Sequence, residues 1–449
     1  MKRFLILIFF GLVLQTSHAQ EEKSVDIKPD FHLRTFWMSS TYPSDFKDDY
    51  ALGTSLNLGT KISFQKNWNF QIGYRVFANV LSSDIWSPDP LSGQSNRYET
   101  GLFDLLNPGD SFFGKLEILN LGYNSDKWGV KVGRFGINTP WINPQDGRLS
   151  PTGIEGVQGW FAPNENWRIE AWWINRMSVR GTSRWLGVGE SIGVFPVGRD
   201  VFGKASKYSG NTNSDFVGLY QVDYSRDKLG KMSLSQTYVQ NISNTLDLSW
   251  NKDWSMKGSK AKWISGAQIG FQHGIGDGGN SLDSLAYKSP EDRNWYLSTR
   301  FGWRNSKWLT HMNFTRVGGD GRWLSPREWG KDPFFTFIPR ERNEGFESVT
   351  AATWFASYTM QDFPLEIYGV IGIHQIPSTS DAQANKYNFS SYRQINFGLK
   401  YRPKGLPRTN FHLLVMNKEA LDSEGLTPNQ RYNKVELWHV NFIFDIYLN

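Results

Sequence analysis

The feature that most narrows the fold is an alternation of apolar and polar residues with period two, recurring along nearly the whole chain. In WNFQIGYRVF (68–77), Trp68, Phe70, Ile72, Tyr74 and Val76 share one face and Asn69, Gln71, Gly73 and Arg75 the other. WYLSTRFGWR (295–304) sets Trp295, Leu297, Phe301 and Trp303 against Ser298, Arg300 and Arg304. Residues 438–448 set Trp438, Val440, Phe442, Phe444, Ile446 and Leu448 against His439, Asn441 and Asp445. Each segment is about ten residues or longer, the length at which a tilted strand crosses a bilayer.

The connections between segments alternate in length. Short turns fall near 64–67, 124–126, 163–166, 226–228, 304–306, 360–362 and 403–408, and long loops near 81–110, 136–153, 179–213, 275–292, 319–347, 375–388 and 418–432. Short inner turns with longer outer loops are the pattern of a membrane β-barrel. Two connections depart from it: a short outer one near 241–243 and a longer inner one at 252–260. Unpaired backbone groups cost several kcal/mol in hydrocarbon, so the first and last strands must pair. The expectation is an all-β fold: a single transmembrane antiparallel β-barrel of about eighteen strands, both termini inside, with inward-folded outer loops. The first strand, FHLRTFWM (31–38), starts too early to leave room for a plug domain.

Composition agrees. Mean hydropathy is −0.48, yet 20 Trp, 31 Phe and 18 Tyr stand beside 43 Gly, a mixture suited to aromatic girdles around a wet lumen. No amphipathic helix is evident, which argues against an α/β enzyme. MKRFLILIFFGLVLQTSHA (1–19) has a basic start, an apolar run and small residues before the cut, and reads as an export signal ahead of a barrel at 20–449. Losing Lys2 and Arg3 lowers the formal charge from +6 to +4. The chain has no Cys, so a lipid-anchored cysteine, disulfides and thiolate metal sites are excluded.

Eighteen strands enclose water, so selectivity requires a constriction. The loop 136–153 suits one: Pro140, Pro144 and Pro151 stiffen it, Trp141 can pack on the wall, and Asp146 and Arg148 offer opposite charges. The second candidate, 319–347, carries Arg327, Glu328, Lys331, Asp332, Arg340, Glu341, Arg342 and Glu344 around Phe334, Phe335 and Phe337. Strand parity places Arg34, Lys61, Arg75, Arg168, Arg300, Arg304 and Lys400 inward, a file of cations that would attract anions. Inward acids Asp223, Asp247, Glu366 and Asp445 oppose it. The seven His show no metal spacing, GDGGN (276–280) is a single loop, and no clustered basic patch points to nucleic acid. No cofactor is expected.

GRFGINTPWINPQDGRLSPTGIEGV (133–157) resembles the segment of OprD-type outer-membrane porins in which a proline follows a strand end and an Arg-Leu-x-Pro run, here Arg148-Leu149-Ser150-Pro151, precedes the next strand. Arg327-Glu328-Trp329 is similar to that family's Arg-Glu-Trp element in its second constriction loop. By position these are the third and seventh outer loops. The resemblance implies non-enzymatic, substrate-selective diffusion of small water-soluble solutes, amino acids or other carboxylates, past an arginine and lysine ladder and an acidic patch. It also implies insertion by the barrel-assembly machinery into outer-membrane lipid and lipopolysaccharide. The chain departs from the aromatic ending usual in such barrels, closing on Ile446-Tyr447-Leu448-Asn449. Asp146, Arg148, Arg75, Arg300, Arg304, Lys400, Arg327 and Glu328 are the expected pore-lining or solute-binding residues. The alternatives are an oligosaccharide channel, a barrel hydrolase and a non-conducting adhesin. Homo-oligomers are compatible with the pattern, because lipid-facing and subunit-facing strands read alike.

Overall fold

The computed structural model describes residues 25–43, 45–144, 147–195 and 197–448. The expected signal segment at 1–19 and Asp146 lie outside the described residues. In chain order the strands are β1 (Asp26–Thr41), β2 (Asp49–Phe64), β3 (Trp68–Ser82), β4 (Phe112–Asn124), β5 (Trp128–Gly136), β6 (Gly153–Asn164), β7 (Trp167–Ser178), β8 (Leu186–Gly187), β9 (Val217–Arg226) and β10 (Gly230–Val239). The second half adds β11 (Ser243–Ser255), β12 (Lys262–Gly274), β13 (Arg293–Arg304), β14 (Trp308–Asp320), β15 (Val349–Thr359), β16 (Leu365–Gln375), β17 (Tyr392–Tyr401), β18 (Thr409–Ala420) and β19 (Leu437–Leu448).

Eighteen of these form one closed antiparallel barrel. Each pairs with its chain neighbour, β7 passes directly to β9, and β1 pairs with both β2 and β19, so no edge is left open. The two-residue β8 lies outside the ring, in the connection after β7, and pairs with Arg176 and Met177. The sequence pattern did not reveal it, because two residues have no periodicity. The short outer connection is 240–242 and the longer inner one 256–261, each displaced slightly from its expected position.

The alternation is realised strand by strand. On β13, Trp295, Leu297 and Phe301 are exposed on the outer surface, while Asn294, Tyr296 and Ser298 are buried inside. On β19, Trp438 and Phe442 face out, and His439, Asn441 and Asp445 face in. An apolar belt this extensive requires hydrocarbon around it. Among the described residues no helix is long and apolar enough to cross a membrane, and strands do the crossing.

The hydrophobic core is built by outer loops folded into the upper lumen. The third outer loop (137–152) buries Trp141, Ile142 and Leu149, and the seventh (321–348) buries Trp323, Trp329, Phe334 and Ile338. Trp141 packs with Tyr296 of β13, Trp323 and Phe334 at ring separations of 5.2–6.2 Å. Burying side chains of this size stabilises by about 1.5–3 kcal/mol each, which offsets the backbone entropy lost in ordering such long connections.

Candidate functional site: a basic cavity among the outer loops

The third loop is held inside the barrel from several sides. Trp141 Nε1 donates to Asp247 on β11 at 2.8 Å. Ser55 on β2 donates to the Leu149 carbonyl at 2.8 Å, and Arg34 on β1 donates to the Arg148 carbonyl at 2.9 Å. Ser150 donates to Glu117 at 2.8 Å. The loop also joins the seventh: Asn143 N–H donates to the Trp329 carbonyl at 2.9 Å, and Lys331 N–H donates to Asn143 Oδ1 at 3.0 Å. Together these contacts fix the two loops as one unit across the lumen.

Above this unit lies a cavity of about 1150 Å³, walled by the second, third, fourth, seventh, eighth and ninth outer loops. Ten basic side chains line it: Arg97, Arg148, Arg180, Arg199, Arg327, Lys331, Arg340, Arg342, Lys386 and Lys434. Glu341 is the one carboxylate among the described lining residues, and Arg97 (3.1 Å), Lys418 (3.1 Å) and the Tyr98 hydroxyl (3.0 Å) already engage it. Burial would raise its pKa, but Arg97, Lys418 and Arg327 outweigh burial and hold it at about 2. Several of the cations lie against rings: Arg180 sits 4.4 Å from the Phe195 centroid and Lys331 5.3 Å from that of Phe337. Concentrated positive charge in a low-dielectric cleft draws and holds anions.

The expected site residues separate into groups. Arg148 and Arg327 line the cavity. Arg148 donates to the Tyr98 carbonyl, and Arg327 is ion-paired with Glu344 and lies 3.7 Å from the Tyr387 centroid. Glu328 lies outside the cavity wall, and its carboxylate accepts from the Gly193 (3.0 Å) and Phe195 (2.9 Å) N–H groups, tying the fourth loop to the seventh. Burial raises its pKa above the ordinary carboxylate value. Arg75 is buried lower down in a two-pronged pair with Glu117 at 2.7 and 2.8 Å. Arg300 donates to Asn313 at 2.9 Å and lies 4.4 Å from the Phe335 centroid. Arg304 and Lys400 sit at the inner ends of their strands, paired with Asp253 and Glu366.

The wall and the cavity therefore differ in charge balance. On the wall, Arg34 faces Asp445, Arg75 faces Glu117 and Lys400 faces Glu366, so the positive charge is largely met by carboxylates. Among the described cavity-lining residues the basic side chains outnumber the carboxylates, although Arg97 is paired with Glu341 and Arg327 with Glu344 behind the wall. Arg97, Arg180, Arg199, Lys386 and Lys434, which supply half of the cavity's cations, come from loops without periodic pattern, and strand-face reasoning missed them.

Comparison with solved structures places the architecture. Pseudomonas aeruginosa OpdK, solved with vanillate, matches at a TM-score of 0.71 and 13% identity, over 94% of this chain and 98% of that one. Acinetobacter baumannii OccAB3 matches at 0.72 and 13%, over 94% and 99%. This is the fold of the OprD-type porins. Pseudomonas aeruginosa OccK9 (OpdG) gives the same result at 0.72 and 12% identity, over 94% and 98%. No family model and no curated protein matches the sequence. The OprD-type fold thus recurs in a chain that shares only 12–13% of its residues with these solved structures.

Proposed function

We propose that the chain is a passive outer-membrane porin for small anionic solutes, carboxylates foremost, and that the basic cavity captures them at the outer end. The observation that carries this reading is the imbalance of ten basic side chains against one carboxylate among the described lining residues. The vanillate held in the OpdK structure is a solute of this chemistry. The channel would work by attraction and release, with no bond made or broken. Arg148 and Arg327 would act at the cavity wall, and Arg300 below it would be the next station, since its partners are an amide and a ring instead of a carboxylate.

Ion selectivity in planar bilayers tests the reading. Replacing Lys331, Arg342 and Lys434 together by Gln is expected to shift the reversal potential in a salt gradient towards equal permeability. The shift should be larger at low salt, where screening is weak. Arg304→Gln is expected to shift the reversal potential far less, because that arginine is solvent-exposed at the inner end of β13, outside the cavity, and the Asp253 it leaves behind is screened by water and still faces Lys262 at 3.9 Å. An unaltered reversal potential in the triple variant would sink the cavity as the selective element.

One observation favours ring-bearing solutes, including the oligosaccharides of the alternative reading. The inward side chains His311, Phe355, Tyr368 and His412 form a chain of neighbouring rings, 4.8, 6.1 and 5.9 Å apart, low on one wall. Flux of benzoate, acetate and maltose through reconstituted channels distinguishes the cases.

A further inference from the structure

Lys386, in the eighth outer loop (376–391), is 1% exposed, and its Nζ has no hydrogen-bond partner. Around it stand the rings of Tyr287 at 4.4 Å, Tyr208 at 4.6 Å and Tyr387 at 5.4 Å. Tyr208 belongs to the fourth outer loop and Tyr287 to the sixth, and the two rings meet edge to face at 5.0 Å. The backbone at the same residue ties in two loops: Lys386 N–H donates to the Gly345 carbonyl of the seventh at 3.0 Å, and Arg199 N–H of the fourth donates to the Lys386 carbonyl at 2.8 Å. Glycine is required at both approaches. Gly198 (φ +68°) lies against the Lys386 carbonyl and Gly345 (φ +96°) against the Tyr387 ring, where a Cβ would collide. One side chain thus sits where four outer loops meet, at the wall of the basic cavity.

We propose that Lys386 is a proton-sensitive clamp for these loops: as a neutral amine it stays in the tyrosine cage and holds them closed around the cavity, and as an ammonium it is driven towards solvent and loosens them. This rests on the reading of the cavity as the solute path. The groups facing the amine are Tyr208 from the fourth loop, Tyr287 from the sixth, Tyr387 beside it, and Glu344, Glu328, Arg322 and Arg327 from the seventh. Ring faces attract an ammonium and the two glutamates favour it. Burial and the two arginines oppose it.

The balance falls against the charge. Burial, with Arg322 and Arg327, brings Lys386 down to about 7, although Glu344 and Glu328 push the other way. Burial holds the three tyrosines well above their ordinary range, so they stay neutral. Released to water the amine would titrate near 10.5. The closed form therefore binds the proton less readily than the open form. Its advantage is full above about pH 10.5, shrinks as pH falls towards 7, and is least below that.

Limited proteolysis of the folded full chain at pH 9 and pH 6.5, normalised to an unfolded substrate at each pH, tests this. In the wild type the outer loops should be cut several-fold faster at pH 6.5. Lys386→Met, which cannot take a proton, should be protected at both values, and Lys386→Arg, which cannot lose one, should be cut at both. Equal protection of the wild type at the two values, faster cutting at pH 9, or wild-type acid sensitivity in Lys386→Met overturns the clamp. The wild-type arm stands even if a variant fails to assemble. No solute is present, so failure here leaves the ion-selectivity result intact, and failure there leaves the clamp intact.

Discussion

Deleting residues 140–150 is expected to raise single-channel conductance several-fold and to blunt discrimination between solutes. Gly136 and Gly153 are register partners at the ends of β5 and β6. The deletion therefore leaves a connection of hairpin length between two strands already paired, and the barrel can still close. It removes Trp141, Ile142 and Leu149 from the lumen, together with the Asn143 bonds that lock the seventh loop. The Arg75–Glu117 pair loses its Ser150 cover and opens to the water column. Trp141→Ala is the graded version. It costs about 3–5 kcal/mol by truncating a buried Trp and strips Asp247 of its indole donor, leaving the Tyr296 hydroxyl at 2.7 Å. Conductance in planar bilayers and the unfolding temperature check both variants. An unchanged or lower conductance in the deletion would mean that the third loop is not the constriction.

The barrel was legible in the sequence because its signal is repeated and local. Each strand states its two faces through residues such as Trp295, Leu297 and Phe301 against Ser298 and Arg300, and eighteen repetitions overdetermine the architecture. The third loop was legible for a related reason: its prolines and Trp141 stand out against strand chemistry. Charge balance was not legible. Arg34 meets Asp445, and Lys400 meets Glu366, as register partners on adjacent strands, and Arg75 reaches Glu117 across a shift in register. A face assignment tells which side a lysine occupies but not which carboxylate lies beside it. Glu328, in a motif that suggests a pore residue, uses its carboxylate to cap two backbone N–H groups of another loop. Lys386 and Arg97 reach the cavity only through loop folding that no periodic pattern encodes.

Glu341→Gln is expected to loosen the contacts between the second, seventh and ninth loops by about 3 kcal/mol, because it leaves the buried Lys418 and the half-buried Arg97 without their shared counter-charge. Arg97 also donates to the Asn433 carbonyl of the ninth loop at 3.1 Å, so the loss reaches three loops. The same carboxylate gives the wild type an acid limit. Its pKa of about 2 lies below the ordinary 4.5, so its contribution is fully present above about pH 5. That contribution disappears as pH falls through 4.5 towards 2, a loss of about 3 kcal/mol by linkage. Burial raises Asp332 to about 6 and Glu99 to about 7, so protonating them favours the folded loops as pH drops from 7 to 5. Those groups remain in the variant, so the difference between the two pH profiles reports Glu341 together with Lys418, the lysine whose charge it supports. Thermal unfolding followed from pH 7 to pH 2 should show a steep acid arm in the wild type and a flatter one, from a lower start, in Glu341→Gln. Superimposable acid arms would show that the Arg97–Glu341–Lys418 cluster does not hold the loops. The substitution also removes the one carboxylate of the described cavity lining, so anion preference should rise while stability falls. That opposite movement distinguishes loss of the charge from a general collapse of the cavity.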